Sequence, residues 1–189
     1  MPILGPRRGP AAVLLAGVLL AGGVLPASAA LSAGLGALTL PSVVTSHSVQ
    51  TVTGRAVLTA TDTSPYTPPN GPTPGAGTGL GWHVSVQASA LVYSGPNQGV
   101  NIPAGNLAIV SVEAPVASSG QPVDPVNGPK VPQASPTGSL DGARTVLHAD
   151  ALYGAGVYTQ GINLSLTIPA DTRAGTYTSI ITTTIIAGP

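Results

Sequence analysis

Beyond residue 30 the chain carries several runs with an apolar residue at every second position, and glycine or proline interrupts each before a helical repeat can develop. A period of two sends alternate side chains to opposite faces of an extended strand, whereas a helix needs apolar residues three and four apart. The clearest run is Trp82-His83-Val84-Ser85-Val86-Gln87-Ala88-Ser89-Ala90. Trp82, Val84, Val86, Ala88 and Ala90 share one face, and His83, Ser85, Gln87 and Ser89 share the other, as in a half-buried strand. Ile162, Leu164, Leu166 and Ile168 alternate in the same way with Asn163, Ser165 and Thr167. Pro169 closes that run, because it has no N–H to give to a ladder.

Further segments rich in Val, Ile, Thr or Tyr lie at residues 38–45, 51–61, 106–113, 144–149 and 176–186. The last carries Ile180 and Ile186 on one face and Tyr177, Ile181 and Ile185 on the other, so burial on both sides is expected. About seven strands separated by turn residues predict an all-β fold, an antiparallel β-sandwich of Ig-like type. Two proline- and glycine-rich stretches, residues 64–79 and 114–139, are expected to be long flexible surface loops.

The N-terminus has a different character. Arg7 and Arg8 precede an apolar run over residues 11–25, then Pro26 and the small-residue triplet Ala27-Ser28-Ala29. That order is a secretory signal peptide, with cleavage expected after Ala29. The run is shorter than the ~20 apolar residues of a membrane span and ends at a helix breaker. Residues 1–29 are therefore set apart as the signal, with no membrane span expected after cleavage. Residues 30–189 form one expected domain of 189 − 29 = 160 residues.

In that domain four cations (Arg55, Lys130, Arg144, Arg173) face six anions (Asp62, Glu113, Asp124, Asp141, Asp150, Asp171), a formal charge of 4 − 6 = −2. This is no footprint for nucleic acid. The chain has no cysteine, which removes disulfides, thiolate metal sites and cysteine nucleophiles. With no Phe and one Trp, the core must come from Val, Leu, Ile and Ala with a few tyrosines.

Little in the sequence points to catalysis. His47, His83 and His148 lack metal-ligand spacing, and Asp141, Asp150 and His148 have no nucleophile elbow to serve. The acidic residues stand singly, so neither a calcium loop nor a paired-carboxylate site is expected, and Asp62 and Asp124 read as turn caps. The sequon Asn163-Leu164-Ser165 falls inside a strand, and Lys130, between Pro129 and Val131-Pro132, is a poor candidate for an isopeptide cross-link. The expectation is a non-enzyme without metal or cofactor. Residues 185–189 carry no sorting motif, apolar tail or basic stop, so retention at a surface is expected to be non-covalent.

Two segments together resemble the WxL-domain surface proteins of Gram-positive and related bacteria. The first is Gly77-Thr78-Gly79-Leu80-Gly81-Trp82-His83-Val84-Ser85-Val86, preceded by Val57-Leu58-Thr59-Ala60-Thr61-Asp62. The second is Ile168-Pro169-Ala170, then Ala174-Gly175-Thr176-Tyr177-Thr178-Ser179-Ile180-Ile181-Thr182, similar to that domain's closing strand. Val84 stands where the family has Leu, and Thr183 stands at the position of its second tryptophan. The resemblance implies a secreted protein at the cell wall or cell surface, binding peptidoglycan or another surface glycan non-covalently.

Trp82, His83 and Tyr177 are the candidate ligand-contacting residues. An indole can stack on a sugar ring, although the alternation phase of Trp82 directs it to the core. The Gly-Thr-Tyr segment is also similar to the last strand of pilin-type and spore-coat U subunits. That implies an alternative function, a structural subunit assembling through strand edges.

Overall fold

A computed structural model describes residues 10–15, 30–64, 79–134 and 136–188. The strands in chain order are β1 (Pro10–Leu15), β2 (Leu31–Leu35), β3 (Leu38–Thr39), β4 (Val43–Val44), β5 (Gln50–Asp62), β6 (Trp82–Ala88) and β7 (Val92–Ser94). They continue with β8 (Leu107–Val112), β9 (Val116–Gly120), β10 (Gly138–Ser139), β11 (Arg144–Ala149), β12 (Gly156–Ile168), β13 (Thr176–Thr178) and β14 (Ile181–Ala187). Among the described residues the helical content is one 3-10 turn, Ala104–Asn106. The fold is all-β and sandwich-like, and every ladder is antiparallel except that of β1 with β13.

The largest sheet runs β10-β8-β12-β5-β2, with β9 also on β12. Its spine is the β5–β12 ladder, in register from Gly156 opposite Asp62 to Ile168 opposite Gln50. Val52, Ala56, Leu58 and Ala60 of β5 and Tyr158, Ile162, Leu164 and Leu166 of β12 bury one face. The other layer is made by β11-β6-β14 and by β7-β13, which carry on the β6 and β14 segments of the chain. Trp82, Val84, Val86, Leu147, Tyr177 and Ile181 come from that layer into the same apolar cluster. Each large aliphatic side chain so enclosed contributes ~1.5–3 kcal/mol. Gly54 lies on the inward face of β5, where a Cβ would stand 2.7 Å from Leu40 Cδ2 and 2.8 Å from Leu38 Cδ1. Its missing side chain is the space that β3 and the following residue fill.

Two expectations are corrected. Residues 176–186 are not buried on both faces: Ile180 and Ile186 are each 49% exposed. Only one face of β14 meets the opposing layer, and the strand is broken at Ser179 and Ile180. There the Ser179 hydroxyl donates to the Ser89 carbonyl at 2.7 Å, and the Ile180 N–H donates to Ser89 Oγ at 3.0 Å. Residues 114–139 are not a loose excursion either. β9 pairs with the first half of β12, Gln121 is buried, and Lys130 bridges backbone to backbone with His148.

Asp124 caps a turn as expected, accepting the N–H groups of Val126 and Asn127 at 2.8 Å each. Asp62 likewise accepts the Ser64 N–H at 2.8 Å. Most of the other proline-rich stretch, residues 65–78, lies outside the described residues, as do Arg7, Arg8 and residues 16–29 of the expected signal. Of residues 1–29 only β1 is described. It sits between β13 on one side and β3 and β4 on the other.

Candidate functional site

Trp82 opens β6 and turns inward by the alternation that exposes His83. Its ring is fully enclosed, 6.2 Å from that of Tyr158 at a tilt of 47°, and its indole N–H donates to the Gly154 carbonyl at 3.1 Å. Tyr158 sends its hydroxyl to the Gln121 carbonyl at 2.8 Å. Gln121 in turn accepts the Ala155 N–H at 2.9 Å and donates to the Leu152 carbonyl at 3.1 Å. A buried polar side chain is tolerated only when its hydrogen bonds are made, and these bonds fix the segment between β11 and β12. The indole therefore offers no platform to a sugar.

Tyr177 is also internal, at 1% exposure, and its ring lies 5.3 Å from that of Tyr93. The two hydroxyls hold the turn before β13, Tyr177 donating to the Arg173 carbonyl at 3.0 Å and Tyr93 to that of Ala174 at 3.1 Å. Burial pushes the Tyr177 phenol above its ordinary value, with Tyr93 adding to it.

His83, in contrast, faces outward and is only partly covered. It belongs to a continuous plane. In the β6–β14 ladder His83 is opposite Ile186, Ser85 opposite Thr184, and Gln87 opposite Thr182. On the other flank His148 is opposite His83 and Thr145 opposite Ser85. The rows His148–His83–Ile186 and Thr145–Ser85–Thr184 cross three strands on the side away from the core. Hydroxyls, an amide and imidazoles there both donate and accept, and Ile186 adds an apolar spot. The two sequence resemblances approach each other in this sheet at their ends, with Val86, the last residue of the first segment, opposite Thr183, which follows the last residue of the second.

Charge gathers at one margin of this plane. Asp150 accepts from Lys130 Nζ at 2.9 Å and lies 2.6 Å from His148 Nε2. The Lys130 hydrogen bond holds the Asp150 carboxyl below the usual carboxylate range, against partial burial that works the other way, and His148 adds to the lowering. Lys130 is thus half-buried in an ion pair on the surface side of the core.

On the far sheet Arg55 grips Glu113 with two bonds, 2.7 and 2.6 Å, across Gly161. A separate open cleft of about 670 Å³ is lined by polar residues including Ser46, His47, Asn97, Asp171 and Arg173, with His47 hydrogen-bonded to Asp171. Among the described residues no group of three or more acidic or histidine side chains is placed to hold a metal ion. Nor is any helix there long and apolar enough to cross a membrane.

Comparison with protein-family models, curated proteins and solved structures found no match for this chain. The outward threonines of β14 were missed in the sequence, because Thr182 and Thr184 become part of a plane only once β14 is known to pair with β6.

Proposed function

We propose that the chain is an exported, non-catalytic surface protein that holds a cell-wall glycan, peptidoglycan above all, without a covalent bond. The contact surface is the outward plane of β6 and β14. One observation carries this reading: the segment around Trp82 that resembles a wall-binding domain forms β6, and its outward side chains join those of β14, the strand in which the second resembling segment ends, in one hydrogen-bonding face. Peptidoglycan presents hydroxyls and amides, and Ser85, Thr184, Thr182, Gln87 and His83 supply both donors and acceptors to such groups. Trp82 and Tyr177 serve beneath the surface by keeping the strands flat and in register.

Sedimentation of residues 30–189 with insoluble peptidoglycan tests the reading. The wild type pellets and is released by denaturant. A Ser85→Glu/Thr184→Glu variant, altered only on the outward face, binds at least about tenfold more weakly, a change of ~1.4 kcal/mol. His47→Ala, in the separate cleft, leaves binding unchanged. A wild type that stays in the supernatant overturns the reading, and loss through His47→Ala alone moves the site to the cleft.

A further inference from the structure

β1 occupies a place that its own sequence is expected to vacate. The strand pairs on both edges: parallel to β13, with Ala12 opposite Thr176 and Val13 opposite Tyr177, and antiparallel to β3 and β4, with Leu15 opposite Leu38 and Ala11 opposite Val43. Yet residues 10–15 lie inside the segment whose two arginines, apolar run and Ala27-Ser28-Ala29 read as an export signal. Once residues 1–29 are removed, β13 on one side and β3 and β4 on the other each face the gap with unpaired N–H and C=O groups.

The floor of this gap is apolar. Leu38, Leu40, Ile168 and Tyr177 are buried at this end of the core, and Val43, Ile168, Pro169 and Tyr177 line a small residual space beside it. The gap also runs on. β14 continues the chain beyond β13 and, among the described residues, is paired only on its β6 side. Its sequence, Ile181-Thr182-Thr183-Thr184-Ile185-Ile186-Ala187, has no charge and no proline, which are the usual guards of an open edge. β2 lies alongside β14 without forming a ladder with it.

A strand that enters between two others must be free on both of its edges. Strands in the interior of a folded chain are not, whereas a terminal segment can be. In the processed chain the segment at the new N-terminus is β2, Leu31-Ser32-Ala33-Gly34-Leu35. Among the described residues it is laddered on one edge, to β5, and must leave that edge before it can enter a slot between two other strands. Like Pro10-Ala11-Ala12-Val13-Leu14-Leu15 it is uncharged and built from small and aliphatic residues.

We propose that after removal of residues 1–29 the slot beside β13 takes up β2 of a second copy of this chain, so that copies join head to tail by strand addition. Ten charged side chains, 4 + 6, on 160 residues put little long-range repulsion between copies. A head-to-tail contact of this kind leaves one slot and one donor strand at the ends, so assembly is open unless a ring closes.

The test compares the full chain, kept uncleaved, with residues 30–189, each by size-exclusion chromatography with light scattering across a concentration series. The full chain stays monomeric, and the processed chain forms species of two or more copies. A synthetic peptide of residues 8–17 added to the processed chain returns it to monomer, and a scrambled peptide does not. Ala33→Pro in residues 30–189 abolishes self-assembly while circular dichroism keeps its β signal. As a check independent of that variant's folding, mixing Ser32→Cys with Thr178→Cys copies under oxidation yields a cross-linked heterodimer.

A processed chain that remains monomeric at high concentration overturns the proposal. So does assembly of both forms that the peptide leaves untouched, which places the contact at another edge. Wall sedimentation of the peptide-plugged monomer reads the glycan face separately, so failure of one reading is distinguishable from failure of the other.

Discussion

The indole N–H of Trp82 donates to the carbonyl of Gly154 at 3.1 Å, joining the first residue of β6 to the turn that leads into β12, 72 positions away in the chain. One bond thus couples the sheet that carries the exposed plane to the longest ladder of the other layer. The indole fills the core and satisfies a buried carbonyl at once, two functions that substitution can separate.

Trp82→Phe keeps most of the ring and removes the donor. The Gly154 carbonyl is then left without that partner in a closed site, and the expected loss is about 1–3 kcal/mol. Trp82→Ala removes the ring as well and is expected to cost about 3–5 kcal/mol. Urea unfolding of residues 30–189 gives both values. Equal midpoints for the wild type and the alanine variant are incompatible with an enclosed ring.

Gly154 is restricted from two sides. Its φ of 83° lies in the left-handed region, and a Cβ would come within 2.6 Å of Ala149 Cβ and 2.7 Å of Trp82 Nε1. Strain of this kind alone costs ~1–3 kcal/mol, and the contact with Trp82 adds to it. Gly154→Ala is therefore expected to destabilise by at least about 2 kcal/mol and to alter Trp82 fluorescence. Gly142→Ala, where a Cβ meets nothing within 4 Å, serves as the control.

Strand identity was legible wherever the alternation was strict. The phase of residues 82–88 placed Trp82, Val84 and Val86 inside and His83, Ser85 and Gln87 outside, because only one face of that strand meets the core. Residues 114–139 were not legible. The ladder of Val116-Ala117-Ser118-Ser119-Gly120 with β12 is made by backbone groups, and their side chains show no apolar alternation. Gln121 is held by hydrogen bonds to residues 152 and 155, partners that no local pattern reveals.

The exposed plane was half legible. The polar side of β6 could be listed from its period, but nothing within it says that β14 lies beside it with Thr184 opposite Ser85. Residues 176–186 read as one continuous strand carrying Tyr177, and the break at Ser179 and Ile180 that makes Thr176–Thr178 a separate short strand depends on hydrogen bonds to Ser89 that no local pattern reveals. The strand at residues 10–15 was hidden for another reason. A continuous apolar run has no period of two, and targeting chemistry explains it without a fold.

Thr183 points inward on β14, and its hydroxyl oxygen is buried without a hydrogen-bond partner among the described residues. A buried hydroxyl left unpaired forfeits its water bonds and gains nothing in return. Thr183→Val preserves shape and β-branching and removes that cost. The expected result is a gain of about 1 kcal/mol in unfolding free energy, with glycan sedimentation unchanged because the outward row is untouched. A loss of stability shows instead that the hydroxyl has a partner.

Acid sensitivity should centre partly on Asp150. Its carboxyl is held below the ordinary range by Lys130 first and by His148 as well, so the folded chain binds this proton more weakly than the unfolded chain does. A carboxyl depressed on folding stabilises the native state above its unfolded value, ~3.9, and that contribution is lost as pH falls through the lower folded value. Asp124, lowered by the Asn127 and Val126 N–H groups, and Glu113, lowered by Arg55, contribute in the same direction. The melting temperature of the wild type is therefore expected to fall as pH drops below about 4. Asp150→Asn lowers it at neutral pH and flattens the acid limb, and Lys130→Met brings Asp150 back toward its ordinary value. Thermal melts of the three proteins from pH 2 to pH 7 decide the matter, and parallel acid limbs in wild type and Asp150→Asn contradict the assignment to Asp150.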